Sequence, residues 1–252
     1  MNYLYDQSYY GFLTCVYHNW YTEKADGIYP NDDYQLDFCR FAMTVETDAE
    51  KAERVLTAIT EKLSEWDAKR VYQVFCSNEP DKEIKLINYL TLGFKAGPKI
   101  RLLHGDPVVK AVEAAERRVG LEVHRLTGLI RFSEVRDRRT DNLILYSKIE
   151  PDNDVLEFLA PHFSDRYKSD PFIIHDFGRG KALFAYDRKW EVTPFEEELK
   201  DSALDKTECE YEYTALWKQY FKVMATRERV NPKCQRNFMP SRYWKNLTEI
   251  EP

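Results

Sequence analysis

The chain reads as an α+β protein, with a helix-rich N-terminal part followed by a ββαββ antiparallel sheet layer closed by C-terminal helices. Three observations predict this. Apolar residues recur at helical spacing through most of residues 9–126, notably at Val108, Val112, Ala115, Val119, Val123 and Leu126. From residue 129 the pattern changes to short β-branched and aromatic runs separated by polar or glycine-bearing turns. A strongly amphipathic stretch then carries Tyr213, Leu216, Trp217, Tyr220, Phe221 and Met224.

Residues 2–5 form a short apolar strand. Asp6 and Ser8 are cap residues for a helix over 9–21, with Phe12, Leu13, Val16 and Trp20 along one side. Asp-Gly and Pro-Asn-Asp-Asp make residues 25–34 a loop, and residues 36–45 alternate as a strand. Thr47-Asp-Ala-Glu50 has the form of a capping box for a helix through Ala52, Val55, Leu56, Ile59, Leu63 and Trp66. Further helices are expected near 68–76 and 81–95, with a break at Gly97-Pro98. Asp106-Pro107 is an N-cap followed by proline at the first helical position.

Strands are then expected at 129–135 and 143–149 around a polar turn at 136–142. Asp152 or Asn153 caps a helix over 155–167 that Pro161 kinks or splits. Strands at 172–177 and 182–186 flank Gly178-Arg-Gly-Lys181, a hairpin signal. Acidic helical residues are expected up to Leu204. The domains divide as 1–83 and 84–252, at a soft boundary without a Gly/Ser linker.

The net charge of −6 over 252 residues excludes a protein coated with nucleic acid, so any such contact is a local patch. The five cysteines, Cys15, Cys39, Cys76, Cys209 and Cys234, form no CxxC, which argues against a disulfide framework or zinc knuckle. No N-terminal secretion signal is seen, and no apolar run approaches the roughly 20 residues of a membrane span. The expected setting is a reducing cytoplasm, with no membrane partner.

The histidines show no HxH or HxxxH spacing, so no metal is expected. Walker A, GxSxG, dinucleotide and iron–sulfur motifs are missing, so no cofactor is expected either. The candidate catalytic residues are His175, Asp176 and His124. Adjacent strand positions point His175 and Asp176 to opposite faces, so the pair is no dyad, and His175 reads first as a half-buried strand histidine. Gly178-Arg-Gly180 runs from strand to strand and reads as a turn with an exposed arginine, not a phosphate loop. Arg117, Arg118 and Arg125 read as a solvated helix face.

The sharpest chemical feature is the C-terminal stretch from Thr226 to Lys245. It has six basic residues against one acid, and aromatic residues lie among them. The preceding run from Glu191 to Glu212 holds nine acids and two lysines. Such a block suits a phosphate backbone with exposed bases, and equally an Arg/Trp-rich tail packed on its own domain. The candidate nucleic-acid contacts are Arg236, Arg242, Tyr243, Trp244 and Lys245, joined by Arg131 and Arg179.

Four blocks carry a family resemblance. They are Tyr89-Leu-Thr-Leu-Gly-Phe94; Glu122-Val-His-Arg-Leu-Thr-Gly-Leu-Ile-Arg-Phe132; Ile149-Glu-Pro-Asp-Asn-Asp-Val155 with Leu159-Ala-Pro-His-Phe163 and Ile174-His-Asp176; and Leu216-Trp-Lys-Gln-Tyr-Phe221 through Asn231-Pro232 to Met239-Pro-Ser-Arg-Tyr-Trp-Lys245. The chain resembles an uncharacterised bacterial family of domains of unknown function described as probable DNA-metabolism proteins. The opening Tyr5-Asp-Gln-Ser-Tyr-Tyr-Gly-Phe12 is also similar, with Gln7 where the family more usually has glycine. Genes of that family often neighbour a DNA-modification or repair radical SAM protein, and related domains are fused to uracil-DNA glycosylase-like modules. The resemblance implies an accessory of DNA metabolism or repair that contacts single-stranded or distorted DNA beside a radical SAM partner. It supplies no catalytic residues. Two other functions fit the residues: an enzyme acting on a base or nucleotide, and a protein-binding adaptor using the acidic stretch 196–212.

Overall fold

The computed structural model describes residues 1–33, 41–195, 204–224, 226 and 231–250. Cys39, the first part of the strand expected at 36–45, acidic residues 196–203, and Arg227 and Arg229 of the basic block lie outside the described residues. Two compact units divide the chain, Met1–Val119 and Gly120–Pro252.

The first unit is built on three parallel strands in the order β2-β1-β3: β1 (Asn2–Tyr5), β2 (Gly27–Pro30) and β3 (Ala42–Thr44). The sequence predicts loop throughout 25–34, but its turn signals only bracket β2. Proline is tolerated at the end of such an edge strand, where Pro30 lies opposite Tyr5. Helix α1 (Tyr9–Tyr21) begins at Ser8, whose hydroxyl accepts from the Gly11 amide at 2.9 Å.

Helix α2 (Ala49–Lys62) starts differently from the capping box read in the sequence. Its cap is Asp48, accepting from the Lys51 amide at 3.1 Å. Thr47 turns away and donates to Asp6 at 2.8 Å. Helices α3 (Glu65–Phe75) and α4 (Lys82–Ala96) follow, and then a 3-10 segment, Gly97–Leu102, where Gly97-Pro98 stops the helix. The core gathers Tyr3, Tyr5, Phe12, Leu13, Ile59, Leu86, Tyr89 and Leu90, all close to fully buried. Side chains of this size contribute about 1.5–3 kcal/mol each on burial. Two of its hydroxyls find carboxylate partners, Tyr5 donating to Glu83 at 2.7 Å and Tyr89 to Asp67 at 2.8 Å.

Helix α5 (Pro107–Leu129) opens as the sequence predicts, with Asp106 accepting from the Val108 amide at 2.8 Å. In the second unit the expected ββαββ order is present: β4 (Ser133–Asp137), β5 (Leu143–Ile149), α6 (Leu156–Arg166), β6 (Phe172–Asp176) and β7 (Lys181–Tyr186). Both hairpins, β4–β5 and β6–β7, are antiparallel. The hairpins themselves meet in parallel, β5 beside β6, because the α6 crossover returns the chain in the same direction. The sheet is therefore mixed, not wholly antiparallel. Two further strands extend it, β8 (Lys189–Pro194) and β9 (Leu204–Lys206), to give the order β8-β7-β6-β5-β4-β9. The sequence reading places residues 189–194 at the start of an acidic helical stretch, and the structure corrects this to strand. α7 (Glu208–Met224), α8 (Pro232–Phe238) and a 3-10 turn, Ser241–Asn246, follow.

β6 is buried at all five positions, as expected of a central strand. Alternation sends Phe172 toward the aromatic rings of α6 and the turn after it, 6.5 Å from Phe163 and 5.9 Å from Tyr167. Ile173 goes to the opposite face, with Val135, Tyr146 and Ala182. Pro161 lies inside α6 without splitting it. The helix starts at Val155 without a side-chain cap, so Asp152 and Asn153 are left for other partners.

A buried polar hub and an aromatic cleft

Two of the residues singled out in the sequence, Arg242 and Tyr243, converge on one buried carboxylate. Glu122 lies on α5 and is 1% exposed. It accepts from the backbone amides of Asp152 (3.0 Å) and Asn153 (2.8 Å), from the Asn153 side chain (2.6 Å), from Arg242 (3.1 Å) and from the Tyr243 hydroxyl. Burial alone would raise its pKa. The donors outweigh burial and hold it below the usual carboxylate range, so Glu122 is ionised. Burial, followed by the neighbouring Glu122, pushes the Tyr243 phenol up.

The network extends outward. Arg242 also pairs with Asp152, and Lys245 with Glu150. Arg179 reaches Asp176 at 3.0 Å and donates to the carbonyls of Pro151 and Asp152. Lys181 pairs with Asp154. The loop 150–154 is thus gripped from α5, from the β6–β7 hairpin and from the C-terminal turn. Arg179, Arg242, Tyr243 and Lys245, expected as nucleic-acid contacts, are placed here as internal ties. Tyr243 is 3% exposed and donates its hydroxyl to Glu122 on α5. Trp244 is half-buried and donates to the Met239 carbonyl at 2.9 Å. Arg236 is exposed on α8.

The three candidate catalytic residues are not assembled. Asp176 and His175 are both within 1% of full burial and face opposite sides of β6. The Asp176 carboxyl is raised by burial, with Arg179 opposing. His175 contacts the Tyr146 hydroxyl through Nδ1 at 2.8 Å and is ringed by Phe177 and Phe195. Burial and then the Lys148 charge push its pKa down, so it is neutral. His124 is exposed on α5. No group of His, Cys, Asp or Glu suited to a metal ion is present among the described residues. None of their helices is long and apolar enough to cross a membrane.

A separate cleft of about 800 Å³ opens beside α7. Its walls carry Phe132, Tyr167, Tyr213, Trp217 and Tyr220, with the guanidinium groups of Arg131 and Arg166. Trp217 and Tyr220 stack at 5.7 Å, and the Arg131 guanidinium lies 5.8 Å from the Trp217 ring centre. Tyr213, Trp217 and Tyr220 stay 67%, 39% and 54% exposed, so part of each side chain is open to solvent in the cleft. The sequence marks these rings only as the apolar side of a helix, and their exposure is what distinguishes a binding wall from a core face. Of the residues expected at a nucleic-acid surface, Arg131 is the one found here.

A model of the family described as a domain of unknown function, DUF4130, matches residues 80–249. No curated protein and no solved structure matches the chain.

Proposed function

The chain belongs to the DUF4130 family of domains of unknown function, and for this member we propose an accessory role in DNA metabolism: binding an unpaired nucleic-acid strand in the cleft beside α7. The observation that carries the reading is the juxtaposition of open aromatic faces with two guanidinium groups in one concave wall. Bases stack on such rings irrespective of sequence, while arginines meet the phosphates between them. An 800 Å³ cleft is of the size that holds small organic ligands, and so suits a nucleotide-sized portion of the strand. The acidic remainder of the chain keeps affinity moderate, and the arginine–phosphate contacts make it salt-sensitive.

The reaction itself is assigned to a separate enzyme. Buried His175 and Asp176, divided by their own strand, support an accessory over a base-modifying enzyme. The family resemblance suggests a radical SAM protein as that partner.

The test is fluorescence anisotropy of a labelled oligo-dT strand and of a duplex across salt concentrations. The single strand is expected to bind more tightly. Trp217→Ala is expected to cost roughly 1–3 kcal/mol with the salt slope nearly unchanged. Arg166→Ala is expected to lower the log–log salt slope by about 0.7. Absence of binding at low salt, or a Trp217→Ala protein that binds like the parent, overturns the reading.

A further inference from the structure

Arg131 is not bare in the cleft. Its Nη2 and Nε donate to the same oxygen, Glu249 Oε1, at 2.7 and 3.2 Å. The Trp217 indole N–H donates to the other oxygen at 3.1 Å, and the Thr248 hydroxyl lies 3.3 Å from it. Glu249 is nearly sealed, with 4% of its side chain exposed, against 27% for Arg131. Its ionised form is favoured: burial raises the pKa, but Arg131 and Trp217 among its donors bring it below the ordinary value. A guanidinium fork with an added N–H, closed on two oxygens, is a receptor for an oxyanion, and carboxylate and phosphate fit it alike.

We propose that Glu249 is a built-in competitor for the anion site of this cleft, and that a strand phosphate reaches Arg131 and the Trp217 N–H by displacing the Glu249 carboxylate. The inference takes its ligand class from the function proposed above and adds its regulation. Two features make displacement local. The third nitrogen of Arg131, Nη1, is held separately by the carbonyls of Gly128 (2.9 Å) and Ile130 (3.3 Å), so the fork keeps its direction when the carboxylate leaves. Leu247, 3% exposed, anchors the chain two residues before Glu249, so only residues beyond it need to move. Trp217 and Tyr220, stacked on each other, keep 39% and 54% of their surface exposed; what Glu249 controls is the charge they stand beside. The cleft therefore rests self-occupied, and a strand gains Arg131 only where its phosphate outcompetes a tethered carboxylate.

The experiment uses the full chain with two probes, inorganic tripolyphosphate by calorimetry and oligo-dT by anisotropy. Glu249→Gln is expected to bind tripolyphosphate roughly 3–10-fold more tightly than the parent, as loss of a partly buried ion-pair partner implies. Its oligo-dT salt slope is expected to steepen by about 0.7, one further phosphate contact. Arg131→Ala combined with Glu249→Gln is expected to lose both gains. Equal tripolyphosphate affinity in parent and Glu249→Gln, or a gain that survives removal of Arg131, overturns the proposal. A tripolyphosphate gain without oligo-dT binding upholds the competing carboxylate and overturns the nucleic-acid reading instead. Where Glu249→Gln does not fold, Glu249→Asp decides: it keeps the charge but is too short to span Arg131 and Trp217, so a smaller gain is expected, and no gain overturns the proposal.

Discussion

Gln7 holds a backbone φ of +64°, in the left-handed region, at the bend between β1 and α1. An L side chain there costs about 1–2 kcal/mol, partly offset by the chain entropy that glycine loses on folding. Glycine, without a Cβ, takes this φ at no steric cost. Gln7→Gly is expected to stabilise by roughly 0.5–1 kcal/mol, read as a higher urea midpoint at constant slope. The substitution gives up the 3.1 Å bond from the Gln7 amide to Asp32, but that bond is exposed and worth little in water. Four residues on, Gly11 is needed for closeness: a Cβ would fall 2.2 Å from Asp6 Oδ1 and 2.9 Å from Thr47 Oγ1. The hub is the opposite case of legibility. Glu122, Asp152, Arg179 and Arg242 are all plain in the sequence as charged residues. Their pairing is not, since Glu122 meets partners 30 and 120 positions away, and spacing carries no information over such distances. Glu122→Gln puts amide hydrogens either against the donors of Asp152, Arg242 and Tyr243 on one oxygen or against the two donors of Asn153 on the other, and is expected to cost about 2–4 kcal/mol, measured by urea unfolding. Arg242→Ala is expected to lower stability while leaving the oligo-dT salt slope unchanged, which separates a tie from a phosphate contact.

At the level of elements, the helices and both hairpins of the ββαββ unit are legible because their signals are local: caps, apolar periodicity and Gly178-Arg-Gly180. The strands that escape a sequence reading lack such signals. The β7–β8 hairpin turns on Asp187 and Arg188, both at positive φ (+49° and +62°), the geometry of a tight mirror-image turn that ordinarily calls for Asn-Gly. With Asp-Arg in the turn, the sequence carries no hairpin signal and the acidic residues beyond suggest helix. Arg188→Gly is expected to stabilise the hairpin by roughly 0.5–1 kcal/mol, seen as slower amide exchange along 182–193 together with a higher urea midpoint. Exchange unchanged in β8 would argue that the turn does not limit its pairing. The strand register also places His175 and Asp176 as the sequence implies, since a one-residue offset in a strand sends the two side chains to opposite layers.

For the molecule as a whole, pH sensitivity follows from groups whose pKa differs between the folded and unfolded chain. Asp6, Glu122 and Glu249 are depressed in the fold: burial opposes this, but hydrogen bonds from Ser8 and Thr47, from Tyr243 and the 152–153 amides, and from Arg131 and Trp217 prevail. Their contribution is complete above the ordinary carboxylate range and is lost as pH falls through it. Glu116 and Asp176, raised chiefly by burial, act with the opposite sign and soften that loss. His175 acts in a higher window. Burial and Lys148 depress its pKa from 6.5, so the unfolded chain takes up a proton that the fold refuses. The stability it permits is intact above about pH 7 and erodes as pH falls below 6.5, by at most about 1.4 kcal/mol per pH unit. His175→Gln keeps a polar partner for Tyr146 and cannot titrate. The expected result is that the stability of the parent relative to His175→Gln declines between about pH 7 and 5, measured by urea unfolding at matched slopes. A difference that stays flat across that window would mean that His175 takes up its proton as readily in the fold as in the open chain, and that the aromatic shell of Phe177 and Phe195 does not exclude the charge.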